Sequence, residues 1–212
     1  RTLKDIREFD EDVLYKEFGI NAELLIDHAK GVEPCTIGDI KVYRKKSISI
    51  SSSQILPCNY SYSDAKMVLL EMLNMGTENL LQHHFSTKNL HIFVTYANYT
   101  KNDKGSITLP IRTNLFSKIR PYFEKLFDKV VDKNKFVRKV GFTFSQLSLE
   151  ENEFYDLFTN LEDVKKEKNL TKKIIEIKNK FGKNAILKAV NLKEKSTIRE
   201  RNNLIGGHRS GK

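Results

Sequence analysis

Hydrophobic periodicity changes repeatedly between residues 47 and 149, and the order of these changes constrains the fold more than any other feature. Ile48 and Ile50 alternate with serines, and residues 63–82 then carry apolar side chains at helical spacing. Two further alternating runs, at 90–96 and 107–111, flank a predicted turn at 102–105. A second helical pattern follows at 115–130, and a last alternating run covers 136–147. The sequence therefore predicts an α+β fold of split β-α-β-β-α-β type, an antiparallel four-stranded sheet with two helices on one face.

The last predicted strand has one polar and one apolar set of side chains. The polar set is Val137, Lys139, Gly141, Thr143 and Ser145, and the alternate set is Phe136, Arg138, Val140, Phe142 and Phe144. Cations and hydroxyls with a glycine between them would let a phosphate backbone lie close to the strand. Lysine also protects sheet edges against aggregation, so this alternative stays open.

Composition excludes several classes of protein. Hydrophobic residues make up 39% of the 212 residues, enough for a buried core and too many for a disordered chain. No apolar run reaches the roughly 18 residues that a membrane span needs. The two cysteines, Cys35 and Cys58, have no neighbouring ligand pattern, so we expect free thiols in a cytoplasmic protein and no metal site.

Charge is concentrated in two basic blocks. Residues 42–150 carry 16 basic and 8 acidic side chains, giving +8, and residues 161–212 carry 15 and 6, giving +9. Residues 1–41, with 6 and 10, have a net charge of −4. This distribution favours a polyanionic partner.

The first 31 residues predict short helices. Asp10 is a candidate N-cap for a helix that ends at Gly19, and Asn21 is a candidate N-cap for a second helix that ends at Gly31. Two helices joined by a tight glycine turn resemble a helix-hairpin-helix, whose backbone N–H groups can hold a phosphate. We therefore predict phosphate contacts at Gly19 and Asn21.

The C-terminal part has a different pattern. An acidic spacer and a short apolar segment, 154–158, precede a Lys-rich amphipathic helix marked by Leu170, Ile174, Ile177 and Phe181. Residues 196–212 are polar and basic, and we expect them to be mobile in isolation.

Several motifs together resemble the C-terminal part of a bacterial Y-family (UmuC/DinB-like) translesion DNA polymerase. Phe18 to Gly31 is similar to the end of the thumb, and the segment from Arg44 to Ser49 is similar to the start of the little finger. The similarity continues through Thr108-Leu109-Pro110, Thr113-Asn114, 137–142, 181–184 and 199–209. The resemblance implies an end of thumb at 1–33, a linker at 34–46, a little finger at 47–150, and a tail with a clamp-peptide-like segment at 151–212.

The resemblance also implies a function. The whole protein would be an error-prone, DNA-directed DNA polymerase of damage tolerance and the SOS response, a monomer associated with the bacterial nucleoid. Its catalytic carboxylates and magnesium would belong to a palm domain, so we expect no cofactor in this chain and no polymerase activity from it alone. The little finger would grip primer–template DNA mainly through backbone contacts. The DNA-binding residues predicted for this part are Arg44, Lys45, Lys46, Ser47, Ser49, Arg138, Lys139 and Thr143.

A sliding clamp is a second implied partner. The family's clamp peptide has the form Gln-Leu-Asp-Leu-Phe, and here Phe154 and Tyr155 replace its first two residues while Asp156, Leu157 and Phe158 match. We predict that Tyr155, Asp156, Leu157 and Phe158 contact the clamp, with an affinity lowered by the loss of the glutamine.

Two other functions stay open. A free-standing nucleic-acid-binding module of the same topology, such as an RNA-recognition domain, would stack bases on aromatic side chains, for which Phe93, Phe142 and Phe144 are candidates. We interpret Phe142 and Phe144 as core residues, which disfavours that function. The tail could instead be mainly a protein-interaction arm for the clamp or a repair partner.

Overall fold

A computed structural model describes residues 2–42, 49–98, 102–150 and 159–204. The chain divides into two compact units, Arg1–Lys46 and Ser47–Lys212. Within the described residues, no helix is both long and apolar enough to span a bilayer.

The first unit is helical, and glycines and polar caps end its helices. It contains α1 (Leu3–Arg7), α2 (Glu11–Phe18), α3 (Asn21–Lys30) and α4 (Ile37–Val42). Asp10 caps α2 as predicted, because its carboxylate accepts the N–H of Asp12. The prediction for Asn21 was wrong: it is the first residue of α3, and Ile20 holds the N-cap position without a side-chain hydrogen bond. Helix α4 lies in the segment 34–46 that we predicted as a linker.

The second unit has the predicted order of strands and helices. Its elements are β1 (Ile50–Tyr60), α5 (Tyr62–Gln82), β2 (Phe85–Tyr96), β3 (Asn102–Thr113), α6 (Phe116–Val130) and β4 (Val137–Ser145). The strands are antiparallel in the order β1-β4-β2-β3, which confirms the α+β class. The sheet also has a short fifth strand, β5 (Ser148–Leu149), which pairs with the start of β2.

One hydrophobic core lies between the sheet and the two helices. Leu69, Met72 and Leu73 of α5 and Ile119 and Phe123 of α6 are fully buried against the inner side chains of the strands. Gly76 of α5 lies over the rings of Phe142 and Phe144, where a Cβ atom would come within 2.5 Å of Phe142. The helix therefore approaches the sheet more closely than any side chain larger than glycine would allow.

The prediction of a turn at residues 102–105 was wrong. These residues begin β3 and pair with Ile92 to Thr95 of β2. Gly105 serves packing instead, because a Cβ atom there would lie 2.6 Å from Cγ2 of Val130 on α6. A glycine needed for close helix packing has the same sequence signature as a glycine needed for a turn.

The phase predicted for the start of β4 was also wrong. Lys139 is opposite Thr95, but Val137 is opposite Tyr96, so β4 has one additional residue, Arg138, at this point. This bulge turns Val137 into the core, where it is fully buried, rather than onto the polar face.

The C-terminal tail is helical, as predicted, and it packs on α5. It consists of α7 (Leu161–Phe181), a 3-10 helix (Ala189–Leu192) and α8 (Ile198–Arg201). Two residues of the predicted apolar face, Leu170 and Phe181, are exposed instead. Residues 196–204 are packed rather than free, since Ile198 is buried.

Candidate nucleic-acid interface

One side of the sheet is covered by α5 and α6, and the other side presents mainly polar side chains. We call this second side the open face. It comprises Ser51, Ser53 and Ile55 of β1, Lys139, Gly141 and Thr143 of β4, His91, Phe93 and Thr95 of β2, and Asn102, Lys104 and Ser106 of β3.

Strand register aligns these side chains in rows across the sheet. The first row is Ser51, Thr143, His91 and Ser106. The second is Ser53, Gly141, Phe93 and Lys104. The third is Ile55, Lys139, Thr95 and Asn102. Because residues in one row are direct cross-strand neighbours, the hydroxyls, the amide of Asn102 and the two ammonium groups lie around one aromatic ring. In the third row Ile55 is apolar and exposed, and Thr95 is buried.

Gly141 allows that ring to lie on the sheet. A Cβ atom at Gly141 would lie 2.4 Å from Cε1 and Cζ of Phe93 and 3.0 Å from Cβ of Ser53. The Phe93 ring therefore crosses the β4 backbone at Gly141. The glycine flattens the middle of the open face, as a backbone that approaches a ligand closely requires.

Two lysines give the open face its positive charge. Lys139 Nζ lies 5.6 Å from the centre of the Phe93 ring, close enough for a cation–π contact. Within the described parts of the chain, neither Lys139 nor Lys104 has a carboxylate within ion-pair distance. Both ammonium groups can therefore neutralise an external anion without first breaking an internal ion pair.

A tyrosine anchors one end of the sheet. Tyr96 donates its hydroxyl to Asp103 at 2.5 Å and accepts the N–H of Asp132 at 2.9 Å. Burial and the hydrogen bond to Asp103 raise the pKa of Tyr96 to about 12. Neutral at ordinary pH, Tyr96 joins β2 to β3 and to the segment that follows α6.

The structure brings part of the predicted DNA-binding set together. Lys139 and Thr143 lie on the open face, and Ser49 is exposed directly before β1. Arg138, the additional residue of the bulge, is half-buried and has contacts of its own. Arg44, Lys45, Lys46 and Ser47 lie outside the described residues, as do the predicted clamp contacts Tyr155, Asp156, Leu157 and Phe158.

Gly19 and Asn21 belong to the first unit. Gly19 has φ +56°, and its N–H donates to Tyr15 O at 2.8 Å, which ends α2. That N–H is therefore used within the helix. The phosphate contacts predicted for Gly19 and Asn21 stay predictions.

Sequence reasoning missed several side chains of the open face. Asn102 and Lys104 were hidden by the incorrect turn at 102–105, and His91 was not considered. The alternation from Asn89 to Thr95 carried the signal for His91, because every second residue of a half-buried strand shares one face.

The aromatic side chains argue against base stacking of the RNA-recognition type. Phe142 and Phe144 are buried in the core, as predicted. Phe93 is on the open face, but its cross-strand neighbours are Gly141 and Lys104, and its nearest ring, His91, is 6.4 Å away on the same strand. The described open face thus lacks the stacking aromatics on adjacent strands that such a module uses.

Comparison with known proteins gives consistent matches. Residues 45–157 match the impB/mucB/samB family C-terminal domain. The chain is 30% identical to the putative UV-damage repair protein UvrX of Bacillus subtilis, over 99% of this chain and 50% of that protein. It is also 30% identical to DNA polymerase IV of Bacillus velezensis, over 94% of this chain and 48% of that protein. The chain thus spans about half the length of these curated relatives.

A solved structure of a Y-family DNA polymerase chimera of Dbh and Dpo4 aligns with 70% of this chain and 42% of its own, at 19% identity and a TM-score of 0.44.

Proposed function

Since this chain belongs to the impB/mucB/samB family through its C-terminal domain, we propose that its second unit holds primer–template DNA for a Y-family translesion polymerase. The observation that carries the proposal is the open face. It combines two lysines that have no carboxylate partner among the described residues, rows of hydroxyl groups, and a glycine that flattens its centre.

This surface is suited to phosphate contacts rather than to base reading. Ammonium and hydroxyl groups bind phosphate oxygens in any sequence context. Bidentate contacts to base edges usually come from Arg, Lys, Asn or Gln. The open face defined above has no Arg or Gln, and its residues of this kind are Lys104, Lys139 and Asn102. A polymerase that copies damaged templates must tolerate many sequences, and phosphate contacts allow this.

The whole protein, by this proposal, copies DNA past lesions in DNA repair and damage tolerance, in the cytoplasm of a bacterium. Two metal ions, expected to be magnesium, would act at carboxylates of its palm domain. The 212-residue chain would supply grip and orientation. We therefore expect no templated nucleotide incorporation when the purified chain is given magnesium, primer–template and all four nucleotides.

Fluorescence anisotropy with a labelled primer–template duplex tests DNA binding by the open face. If about four phosphates are neutralised, the logarithm of affinity should fall with the logarithm of salt concentration at a slope of roughly −3 to −4. Reversing both charges, in Lys104→Glu with Lys139→Glu, should weaken every duplex alike and reduce that slope by about 2.

The matched control reverses two exposed lysines of α6, in Lys125→Glu with Lys129→Glu. Both double variants change the net charge equally, so any difference between them reports position. Equal losses would show non-specific attraction to a basic protein, and the proposal for the open face would fail. A strong preference for one base sequence would also contradict it.

A further inference from the structure

A cleft of about 430 Å³ lies on the side of the second unit that faces away from the open face. Its walls come from α5, α6 and the C-terminal tail. Its size is that of a pocket for one or two side chains of a partner. Because α5 and α6 separate the cleft from the sheet, a molecule in the cleft would not compete with one on the open face.

The floor of the cleft is apolar. Met67 and Leu70 of α5, Phe116 of α6 and Val190 of the tail line it together. Met67, Leu70 and Phe116 are half-buried and Val190 is 36% exposed, so a Leu or Phe side chain of a partner would remove further apolar surface from water.

The rim of the cleft is positive. Lys66, Arg120, Lys188 and Lys193 line it, against Glu71 and Glu124. Neither carboxylate is free: Glu124 accepts from Arg120 Nε at 2.8 Å, and Glu71 accepts from the tail. Lys66 in turn pairs with Asp128 at 2.5 Å, so the rim cations that lack a carboxylate partner among the described residues are Lys188 and Lys193.

Lys188 is the cation best placed to receive an anion. Its ammonium donates to Asn74 Oδ1 at 2.6 Å and lies 4.5 Å from the centre of the Phe116 ring. No carboxylate of the described chain lies within ion-pair distance of it. Burial, with the nearby charges of Lys178 and Arg120, lowers the pKa of Lys188, although Glu78 opposes the shift. A carboxylate placed here would compensate a partly desolvated charge.

The tail completes the cleft because α5 holds it in place. The buried carboxylate of Glu71 accepts from Asn191 Nδ2 at 2.9 Å, from Ser196 Oγ at 2.6 Å and from the N–H of Thr197 at 3.4 Å. Arg201 of α8 donates to Ser52 Oγ at 2.9 Å. These contacts place Lys188 and Val190 opposite α5 and α6.

We propose that this cleft binds an acidic segment of a partner protein, with a Leu or Phe side chain on the apolar floor and a neighbouring carboxylate on Lys188. Charge complementarity selects an acidic partner, and the apolar floor distinguishes such a segment from a simple anion. The site does not depend on DNA binding by the open face.

Arrays of synthetic 12-residue peptides test this inference at 150 mM salt. One set carries Asp and Glu around a single Leu or Phe. A second set has Asn and Gln in place of the acids, and a third has Ser in place of the apolar residue. The labelled chain should bind the first set and neither of the others. Equal binding to the third set would show charge attraction alone, and no binding to any set would overturn the proposal.

The peptide that binds most tightly is then measured by anisotropy against variants. Lys188→Gln should weaken it by about tenfold, the size expected for loss of one charge-assisted hydrogen bond, and Lys193→Gln should weaken it less. Lys183→Gln, on an exposed tail lysine outside the cleft, should leave binding unchanged. Thermal unfolding of each variant checks that the tail remains docked.

Three outcomes would overturn the proposal. The first is an equal loss in Lys188→Gln and Lys183→Gln. The second is release of the peptide by saturating primer–template duplex, which would place both on one surface. The third is a dimer of the free chain in analytical ultracentrifugation that Lys188→Gln dissociates, because the cleft would then be occupied by a second copy. Failure of duplex binding alone would leave the peptide result intact.

Discussion

Replacing Gly76 with alanine should destabilise the second unit, although the same change normally stabilises a helix. Gly76 is in the middle of α5, and its α carbon faces the rings of Phe142 and Phe144. An alanine Cβ would lie 2.5 Å and 2.9 Å from two atoms of Phe142 and 2.8 Å from one atom of Phe144. Both rings are buried, at 1% and 0% exposure, so neither can move into solvent.

Two opposing terms set the magnitude. Alanine is favoured over glycine within a helix by about 1 kcal/mol. Overpacking a close-packed core costs about 1–3 kcal/mol, and three contacts below 3.0 Å with immobile rings place this site near the upper value. We therefore expect the free energy of unfolding to fall by about 2 kcal/mol. For a domain of this size, the melting temperature should fall by about 4–8 °C.

Urea denaturation followed by circular dichroism measures the change, with Gly38→Ala in α4 as the control. A Cβ atom at Gly38 would meet only Thr36 Oγ1, at 3.4 Å, so this variant should lose no stability. Phe142→Leu should lower the free energy of unfolding less in the Gly76→Ala variant than in the unmodified chain, because the leucine relieves the clash. A Gly76→Ala protein more stable than the unmodified chain would refute the packing of α5 on β4.

Three further predictions concern the open face, the tail and the clamp. Gly141→Ala should change the free energy of unfolding little, because the Phe93 ring can swing into solvent. It should weaken duplex binding measured by anisotropy, and unchanged binding would show that a flat centre of the open face is not needed. Burial is the largest single influence on Glu150 and opposes its ionisation. The charge and 2.6 Å hydrogen bond of Lys168, with the hydrogen bonds from Asn114 and His84, together outweigh burial and lower the pKa of Glu150 below 4.5. The stabilisation from these contacts is present above pH 4.5 and is lost as the pH falls through the lowered pKa. When the melting temperature is measured against pH, Glu150→Gln should therefore reduce its fall at acidic pH. An unchanged fall would contradict the assignment. Leu157→Ala with Phe158→Ala should abolish retention on an immobilised sliding clamp, and persistent retention would exclude that segment.

Periodicity was sufficient to predict the topology, because runs of period two and two helical patterns follow one another along residues 47–149 in the order of the main strands and helices. Prediction from periodicity failed where the same residue type can serve either a turn or close packing. Gly105 looked like a turn residue but provides space for Val130 of α6. The bulge at Arg138 reversed the phase of Val137, and no local pattern marks an additional residue that the partner strands decide.

The open face was only partly predictable, because register depends on pairing between distant strands. The alternation of the last strand indicated Lys139 and Thr143 directly. The position of Phe93 over Gly141, 48 residues away, required the pairing of β2 with β4. Docking of the tail through the buried carboxylate of Glu71 was equally hidden, since a glutamate in a helix is most often exposed.

Amide NMR of the isotope-labelled chain, titrated with a primer–template duplex, tests the central claim most directly. The account predicts that the largest chemical-shift changes fall on the open face, at Phe93, Lys104 and Thr143, and that Leu70 and Phe116 in the cleft change little. Largest changes in the cleft, or changes spread evenly over both sides of the unit, would contradict DNA binding by the open face.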